Sequence, residues 1–308
     1  MKSLLSIPAK LFGQGARVAG TRITQTTPTG AIEGSLIVPV SSGSVPVALI
    51  IAGSGPTDRD GNNKSMKNNS LRLLATELKK YSIASLRYDK RGIGASRASG
   101  LSEEELSFEN YIADAVGWID LLNNDERFSE VIVIGHSEGS LIGMIASQEG
   151  DVTKFVSLAG AAKKASEVLL DQLETQSAEL RDLSESIIGK LMRGEVTYSI
   201  EPQLQSIFRP SLQPYLISWF KYSPVVEISK LHIPVLVVQG TTDIQISLDH
   251  ANLLASAASN AELVLVDEMN HVLKRSALNR SENIATYNMR KLPNHPALIQ
   301  EIGNFLSS

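Results

Sequence analysis

The segment Gly135-His136-Ser137-Glu138-Gly139 places a serine between two glycines in the pattern G-x-S-x-G. The apolar run EVIVI precedes it directly, and the apolar segment SLIGMIASQ follows it. A strand that turns sharply into a helix exposes such a serine as a nucleophile at the end of a sheet. The glycines are needed because strand and helix nearly touch there. The context favours a nucleophile over a structural turn serine. We expect His136 to pack inside the turn, and the Glu138 carboxylate to be solvated or salt-bridged.

A serine nucleophile needs a base that accepts its proton, and His271 is the candidate. It lies in DEMNHVLK, after the last predicted strand, where a loop can carry the imidazole back over Ser137. Asp243 follows the predicted strand PVLVVQG and is the candidate acid that orients and stabilises the imidazolium. Asp267 and Glu268 are closer to His271 in sequence but lie at the end of the last strand, so they are the weaker alternatives. The other histidines beyond the serine turn precede a strand or lie on helices: His232, His250 and His295.

A developing negative charge on the substrate oxygen needs N–H donors that face it. The backbone N–H of Glu138 is one candidate donor. The second should come from the loop GSGPTDRDGNN, in which Gly53 and Gly55 allow the backbone to approach a ligand closely. We expect the N–H of Ser54 to face Ser137, with that of Gly55 as the alternative.

The same loop resembles the start of a calcium-binding loop, with Asp58, Asp60 and Asn62 at alternate positions. Asn63 stands where that loop requires glycine, and no glutamate closes it. The sequence therefore predicts a hydrogen-bonded turn and no metal site.

Short runs rich in Val and Ile alternate with amphipathic segments. The runs predict buried strands: 46–54, 82–89, 130–135, 154–160, 234–240 and 262–267. Helical spacing of apolar residues predicts helices over 70–81 and 108–122. Such alternation implies an α/β fold with a mostly parallel sheet covered on both faces. Before it, RVAGTRITQ and AIEGSLIVPV predict two antiparallel strands that begin the sheet.

The interval from 161 to 230 is too long for a simple crossover and has a helical pattern. It predicts a helical cap inserted into a core formed by 1–160 and 231–308. Its aromatic residues either line an acyl pocket or form the insertion's own core: Phe208, Trp219, Phe220 and Tyr222.

Composition excludes several classes of function. The chain has 308 residues, 43% of them hydrophobic, which suffices for a large core. Its net charge of −4, with Lys and Arg dispersed, argues against nucleic acid as a partner. There is no cysteine, so disulfides and thiolate sites are excluded. Pro8 and Lys10 interrupt the first apolar run, which disfavours a secretory signal, and nothing approaches a membrane span. We expect a soluble cytoplasmic protein.

Taken together, the motifs resemble the alpha/beta-hydrolase superfamily, and its serine esterase-like members in particular. The resemblance covers nearly the whole chain and rests on five segments in order: GSGPTDRDGN, YDKRGIGAS, GHSEG, GTTD and MNH. It implies an eight-stranded sheet with a helical cap, an acyl-enzyme mechanism, and triad roles for Ser137, Asp243 and His271. Asp89 and Arg91 are expected to order the loop beside the site. The chain departs from the family at Ala52, where a histidine usually supports the oxyanion loop.

The predicted function is hydrolysis of carboxylic esters of small acyl groups, with no cofactor. The same triad attacks thioesters and small amide or peptide bonds, so these substrates stay open. A ligand-binding protein on a hydrolase scaffold is the alternative from another class. Dehalogenase-like chemistry needs a carboxylate where Ser137 stands. The sequence leaves the oligomeric state open.

Overall fold

Eight strands form one sheet in the computed structural model, which describes residues 20–173 and 177–308. The strands are β1 (Thr21–Thr27), β2 (Gly30–Ile37), β3 (Val45–Ile51), β4 (Ala84–Tyr88), β5 (Phe128–His136), β6 (Lys154–Leu158), β7 (Val235–Gly240) and β8 (Ala261–Val266). Their order in the sheet is β1-β2-β4-β3-β5-β6-β7-β8. β2 pairs antiparallel with both β1 and β4, and the remaining pairs are parallel. The predicted α/β sheet with an antiparallel start is confirmed, although residues 17–19 of the first predicted strand lie outside the described residues.

Helices cover both faces of the sheet. The α-helices of the described residues are α1 (Ser70–Leu78), α2 (Phe108–Asn123), α3 (Glu138–Glu149), α4 (Ala165–Leu173), α5 (Ala178–Met192), α6 (Gln205–Phe208), α7 (Gln213–Trp219), α8 (Pro224–Ser229), α9 (Leu248–Ala257), α10 (Arg280–Thr286) and α11 (Pro296–Ser307). Side chains from α1 and α11 pack on one face, and those from α2, α3 and α9 pack on the other. β3 shows the alternation, because Leu49 and Ile51 face α2 and α3 while Ala48 and Ile50 face α1.

Every residue of the interior strands β4 and β7 is buried, and β5 is buried from Val131 onward. The prediction of a fully buried strand is wrong for β8. Leu263 and Leu265 are 38% and 44% exposed. β8 is an edge strand with a neighbour on one side only, so the helices that cover β7 leave part of it in solvent.

The helical insertion (residues 161–230) lies between β6 and β7 and supplies α4 to α8. Its α7 packs against α2, and its α8 packs against α3 and α9. The Ser218 hydroxyl accepts a hydrogen bond of 2.7 Å from the N–H of Phe108 at the start of α2. These contacts hold the insertion against the sheet domain at the carboxyl ends of the strands.

Four of the loops that follow parallel strands carry predicted site residues. Ser54 follows β3, Ser137 follows β5, Asp243 follows β7 and His271 follows β8. Since these strands are parallel, their carboxyl ends share one edge of the sheet, where ligand sites of open α/β sheets form. Among the described helices, none has both the length and the apolar character needed to cross a membrane.

Candidate active site

Ser137 occupies a strained turn between β5 and α3. Its φ of 55° and ψ of −120° lie in a region that non-glycine residues rarely adopt. The Ser137 N–H is held by a 2.9 Å hydrogen bond to the carbonyl of Leu158 on the neighbouring strand. The serine side chain lines a cavity, and α3 begins at the next residue. This is the strand–turn–helix geometry expected of a nucleophile elbow.

The two glycines of the motif are fixed by backbone contact. A Cβ on Gly139 would lie 2.7 Å from the carbonyl oxygen of Ala52, and one on Gly135 would lie 2.5 Å from Cα of Ser140. Neither contact can be relieved by a side-chain rotation, because the neighbours are backbone atoms. The motif therefore brings α3 directly against β3 and β5.

Asp243 and His271 form a hydrogen-bonded pair. His271 Nδ1 lies 2.8 Å from Asp243 Oδ2, and Gln239 Nε2 donates to the same oxygen at 3.0 Å. The other carboxylate oxygen accepts from the N–H groups of Gln245 and Ile246 at 2.8 and 3.0 Å. The carboxylate is thus oriented by four donors, and His271 Nε2 makes no hydrogen bond to any residue that the structure describes.

The electrostatics of this pair favour an ionised carboxylate. Burial by itself would raise the pKa of Asp243, but the charge of His271 and the hydrogen bonds from His271 and two backbone N–H groups outweigh it. The pKa of Asp243 is therefore held below its usual value. An ionised Asp243 keeps the proton of His271 on Nδ1, which is the tautomer that a base acting through Nε2 needs.

The alternative acids do not reach His271. Asp267 accepts a 3.0 Å hydrogen bond from the Thr241 hydroxyl, and Glu268 pairs with Arg275 in solvent. Two of the other histidines are also engaged elsewhere. The His250 ring accepts from the N–H of Ala162, and the His295 ring caps α11.

His136 connects the serine turn to the loop that carries His271. Its Nε2 lies 2.8 Å from the carbonyl oxygen of His271, and the two rings are 5.0 Å apart. Burial, together with the charge of His271, lowers the pKa of His136 to about 4. The neutral ring donates from Nε2–H, so His136 does more than pack. The sequence shows no signal for this contact, which joins positions 135 residues apart.

Ser137 and His271 are not joined by a direct hydrogen bond, and His136 is the residue between them that contacts the His271 loop. Within residues 20–173 and 177–308, the Ser137 hydroxyl has no hydrogen-bond partner. Catalytic hydrogen bonds are often long without substrate and shorten in the reacting complex.

The predicted oxyanion donors lie beside the serine. Ser54, Gly55 and Glu138 line the same cavity as Ser137, and a Cβ on Gly53 would lie 3.1 Å from Cβ of Ser137. In the described part of the chain, no group accepts a hydrogen bond from the N–H of Ser54, Gly55 or Glu138. The Glu138 N–H also lies at the N-terminus of α3, which favours negative charge.

The loop that carries Ser54 is ordered by carboxylates. Asp58 accepts from the N–H groups of Asp60 and Asn62 at 3.0 and 2.8 Å, so the predicted hydrogen-bonded turn is present. Asp89 accepts from the N–H groups of Arg59 and Ala95, each at 2.8 Å. No group of three or more potential metal ligands occurs within the described residues.

A cavity of about 720 Å³ opens over the serine. Its walls are largely apolar and come from the sheet domain and the helical insertion, including Leu106, Leu141, Leu169, Ile207, Leu212 and Trp219. Of the four aromatic candidates, only Trp219 lines it. Phe208 and Phe220 are buried in the apolar core, and Tyr222 packs against Phe108 with ring centres 5.5 Å apart. Phe208 and Phe220 thus lie in a core that is shared with the sheet, and Tyr222 lies at the contact between the insertion and α2.

Every charged side chain that lines the cavity has an opposite charge beside it. The four pairs are Lys90 with Glu138, Arg91 with Asp114, Lys163 with Asp171, and Arg209 with Glu103. In the structure as described, the cavity therefore offers no unpaired carboxylate to a cationic substrate group and no unpaired cation to an anionic one.

Comparisons with known proteins agree with this geometry. A family model described as "Serine aminopeptidase, S33" matches residues 66–194. The esterase EstD of Thermotoga maritima is 28% identical over 253 residues, which cover 79% of this chain and 58% of EstD. The chain thus spans a little over half the length of that curated relative.

Solved structures give the same fold. Est1E from Butyrivibrio proteoclasticus, with ferulic acid bound, matches with a TM-score of 0.65 and 15% identity, covering 93% of this chain and 100% of that one. An esterase from Pyrococcus furiosus matches with a TM-score of 0.58 and 14% identity, covering 97% and 98%. The sheet order, the strained serine turn and these similarities together show that the chain has the alpha/beta-hydrolase fold.

Proposed function

We propose that this chain is a serine hydrolase that cleaves carboxylic esters of small acyl groups through an acyl-enzyme. One observation carries the proposal. A strained, cavity-lining serine faces the sheet edge at which an Asp243–His271 pair of 2.8 Å is anchored to the serine turn through His136. The relatives named as esterases support the same reaction.

The residues have the following roles. His271 Nε2 accepts the Ser137 proton as the serine oxygen attacks the acyl carbonyl, and Asp243 stabilises the resulting imidazolium. The N–H groups of Ser54 and Glu138 stabilise the oxyanion, with Gly55 as the alternative to Ser54. His271 then protonates the leaving alcohol, and water repeats the sequence on the acyl-enzyme.

The charge pattern of the cavity favours neutral esters over substrates with a free amine. An aminopeptidase, the activity that the matching family model describes, needs a carboxylate for the substrate ammonium. Glu103 and Glu138 are the acidic residues that line the cavity, and Arg209 and Lys90 neutralise them. Burying an unpaired ammonium in such a cavity is costly. Thioesters share the neutral acyl group and remain the second candidate.

The helical insertion (161–230) serves in this proposal as a cap that forms one wall of the acyl site, with Trp219 in that wall. The remaining ranges, 1–160 and 231–308, form the hydrolase core. A cytoplasmic location and a non-catalytic, ligand-binding role stay predictions from the sequence, and the presence of Ser137, Asp243 and His271 in the expected order disfavours the second.

A substrate panel tests the proposal. Chromogenic esters of increasing acyl length are compared with aminoacyl anilides, using wild type and Ser137→Ala. We expect kcat/KM for the best ester to exceed that for any aminoacyl anilide by about 10³-fold, and Ser137→Ala to lower ester turnover by about 10⁴–10⁶-fold. A preference for aminoacyl anilides, or an active Ser137→Ala variant, would contradict the proposal.

A further inference from the structure

Lys90 is a buried lysine beside the serine turn, and the roles above do not include it. Its side chain is 1% exposed. The ammonium donates to the carbonyl oxygen of Gly53 at 2.7 Å and to Glu138 Oε2 at 3.0 Å, and it lies 4.9 Å from the ring centre of Tyr111. A buried ammonium is expected to need an opposite charge and several acceptors, and here both acceptors belong to residues of the oxyanion site.

The Gly53 carbonyl matters because it belongs to the same peptide unit as the Ser54 N–H. The peptide is planar and trans, so its C=O and N–H point in opposite directions. A donor that fixes the carbonyl also fixes the direction of the N–H. A charge-assisted hydrogen bond to the carbonyl polarises the unit and strengthens the N–H as a donor.

Few other contacts hold this part of the loop, although the Thr57 hydroxyl donates to the carbonyl of Ser54, in the next peptide unit, at 2.9 Å. Ala52 offers no polar side chain, Gly53 has none, and Gly55 adopts a φ of +68° with open space around it. Ser54 and Gly55 are exposed. Among the described residues, Lys90 is the side chain that hydrogen-bonds the Gly53–Ser54 peptide unit.

The same lysine also reaches the second donor residue. Glu138, whose N–H is the other proposed donor, pairs with Lys90 through one carboxylate oxygen. Its other oxygen accepts from the hydroxyl of Tyr215, on α7 of the helical insertion. The chain of contacts runs from the oxyanion loop through Lys90 and Glu138 to the insertion.

We propose that Lys90 is a positioning residue that orients and polarises the Gly53–Ser54 peptide, so that the Ser54 N–H faces the substrate oxyanion. The inference rests on the proposed hydrolase function.

Lys90→Met tests the inference, because methionine keeps the length of the side chain without the ammonium. Loss of an oriented donor should lower kcat on the best ester by about 10–100-fold while KM stays within about threefold. A trifluoromethyl ketone, which forms a tetrahedral oxyanion adduct with the serine, should bind more weakly by a similar factor. A purely structural role would not couple inhibitor affinity to kcat in this way.

Two further variants distinguish the loss of an oriented donor from general damage to the fold. Lys90→Met leaves the Glu138 carboxylate without its partner, and the double variant Lys90→Met/Glu138→Gln removes that buried charge. If the single variant does not fold, the double variant provides the test. Its kcat should be as low as that of Lys90→Met. Arg87→Met is the matched control. Arg87 is also a buried cation, and it pairs with Asp60 in the loop that carries Ser54. It touches neither Gly53 nor Glu138 and should keep kcat within about threefold.

The outcomes are distinguishable. A folded Lys90→Met enzyme with unchanged kcat, or with a changed KM and full inhibitor affinity, overturns the role of Lys90 and leaves the proposed function standing. A comparable loss of kcat in Arg87→Met also overturns it. A wild-type protein that hydrolyses no ester and forms no adduct overturns both proposals.

Discussion

His136 affects both the stability of the fold and the geometry of the candidate site. It is buried beside the nucleophile, its neutral ring donates to the carbonyl of His271, and burial lowers its pKa to about 4. The ordinary value for histidine in the unfolded chain is 6.5. Between these two values the unfolded chain binds more protons at this position than the folded chain does. The contribution of His136 to stability is therefore complete above 6.5 and is lost as the pH falls toward 4.

His136→Gln should flatten this part of the pH profile. Glutamine retains an N–H donor for the His271 carbonyl but does not titrate. We expect the free energy of unfolding of wild type to fall by roughly 3 kcal/mol more than that of the variant as the pH falls through the window. Urea unfolding across that window measures the difference. Parallel profiles for the two proteins would show that His136 does not titrate there with a lowered pKa.

The sequence predicts which site residues follow strands, but it does not predict which side chains pair with each other. The position of Asp243 after a strand was enough to prefer it over Asp267, and the structure places its carboxylate against His271. The Lys90–Glu138 pair could not be predicted, since it joins positions 48 residues apart that carry no shared pattern. Of the two environments that the sequence allows for the Glu138 carboxylate, solvent or a salt bridge, the structure shows a buried salt bridge to Lys90.

At the scale of elements, the approach of α3 to β3 controls the serine turn. Gly139 allows this approach because the space for its Cβ is occupied by the carbonyl of Ala52, 2.7 Å away. The helix can move away from the strand only if Ser137 moves with it. Backbone packing and nucleophile position are therefore coupled.

Gly139→Ala should be damaging for this reason. We expect it to lower the free energy of unfolding by about 3 kcal/mol and to lower ester turnover by more than about tenfold. Gly189→Ala is the matched control, because Gly189 lies inside α5 with only the end of Arg193 within 4 Å of its Cβ. Alanine there should raise stability by about 1 kcal/mol and leave turnover unchanged. Chemical unfolding and ester kinetics check both, and a stable, active Gly139→Ala enzyme would refute the coupling.

Apolar periodicity predicts which segments are helices and which are strands. Where the structure differs from these predictions, the difference has a physical cause. The predicted helix over 70–81 is an α-helix to Leu78 and a 3₁₀ turn over Lys79–Tyr81. β8 has the composition of an interior strand, but its place at the sheet edge leaves Leu263 and Leu265 partly exposed. Strand order is a property of the whole sheet, so local composition does not reveal which strand lies at the edge. The aromatic residues of the helical insertion show the same limit, since composition alone does not separate a cavity wall from a core.

At the scale of the whole molecule, the parallel sheet gathers residues that are distant in the chain. The loops after β3, β5, β7 and β8 open at one edge, and the helical insertion covers that edge. The order of Ser137, Asp243 and His271 along the chain is enough to place them on this edge once the sheet is recognised. The size of the cavity and the pairing of Glu103 with Arg209 depend on how the insertion packs, and no local pattern determines them.

The most direct measurement of the central claim is covalent labelling by an organophosphonate ester, with the modified residue located by mass spectrometry. The account predicts one adduct per chain on Ser137, loss of ester hydrolysis in proportion to labelling, and no label on Ser137→Ala. The His271→Ala variant retains Ser137 but should react with the organophosphonate far more slowly, because the Ser137 hydroxyl then lacks a base. An adduct on another residue, or an unlabelled wild type that still hydrolyses esters, would contradict the claim that Ser137 is the nucleophile.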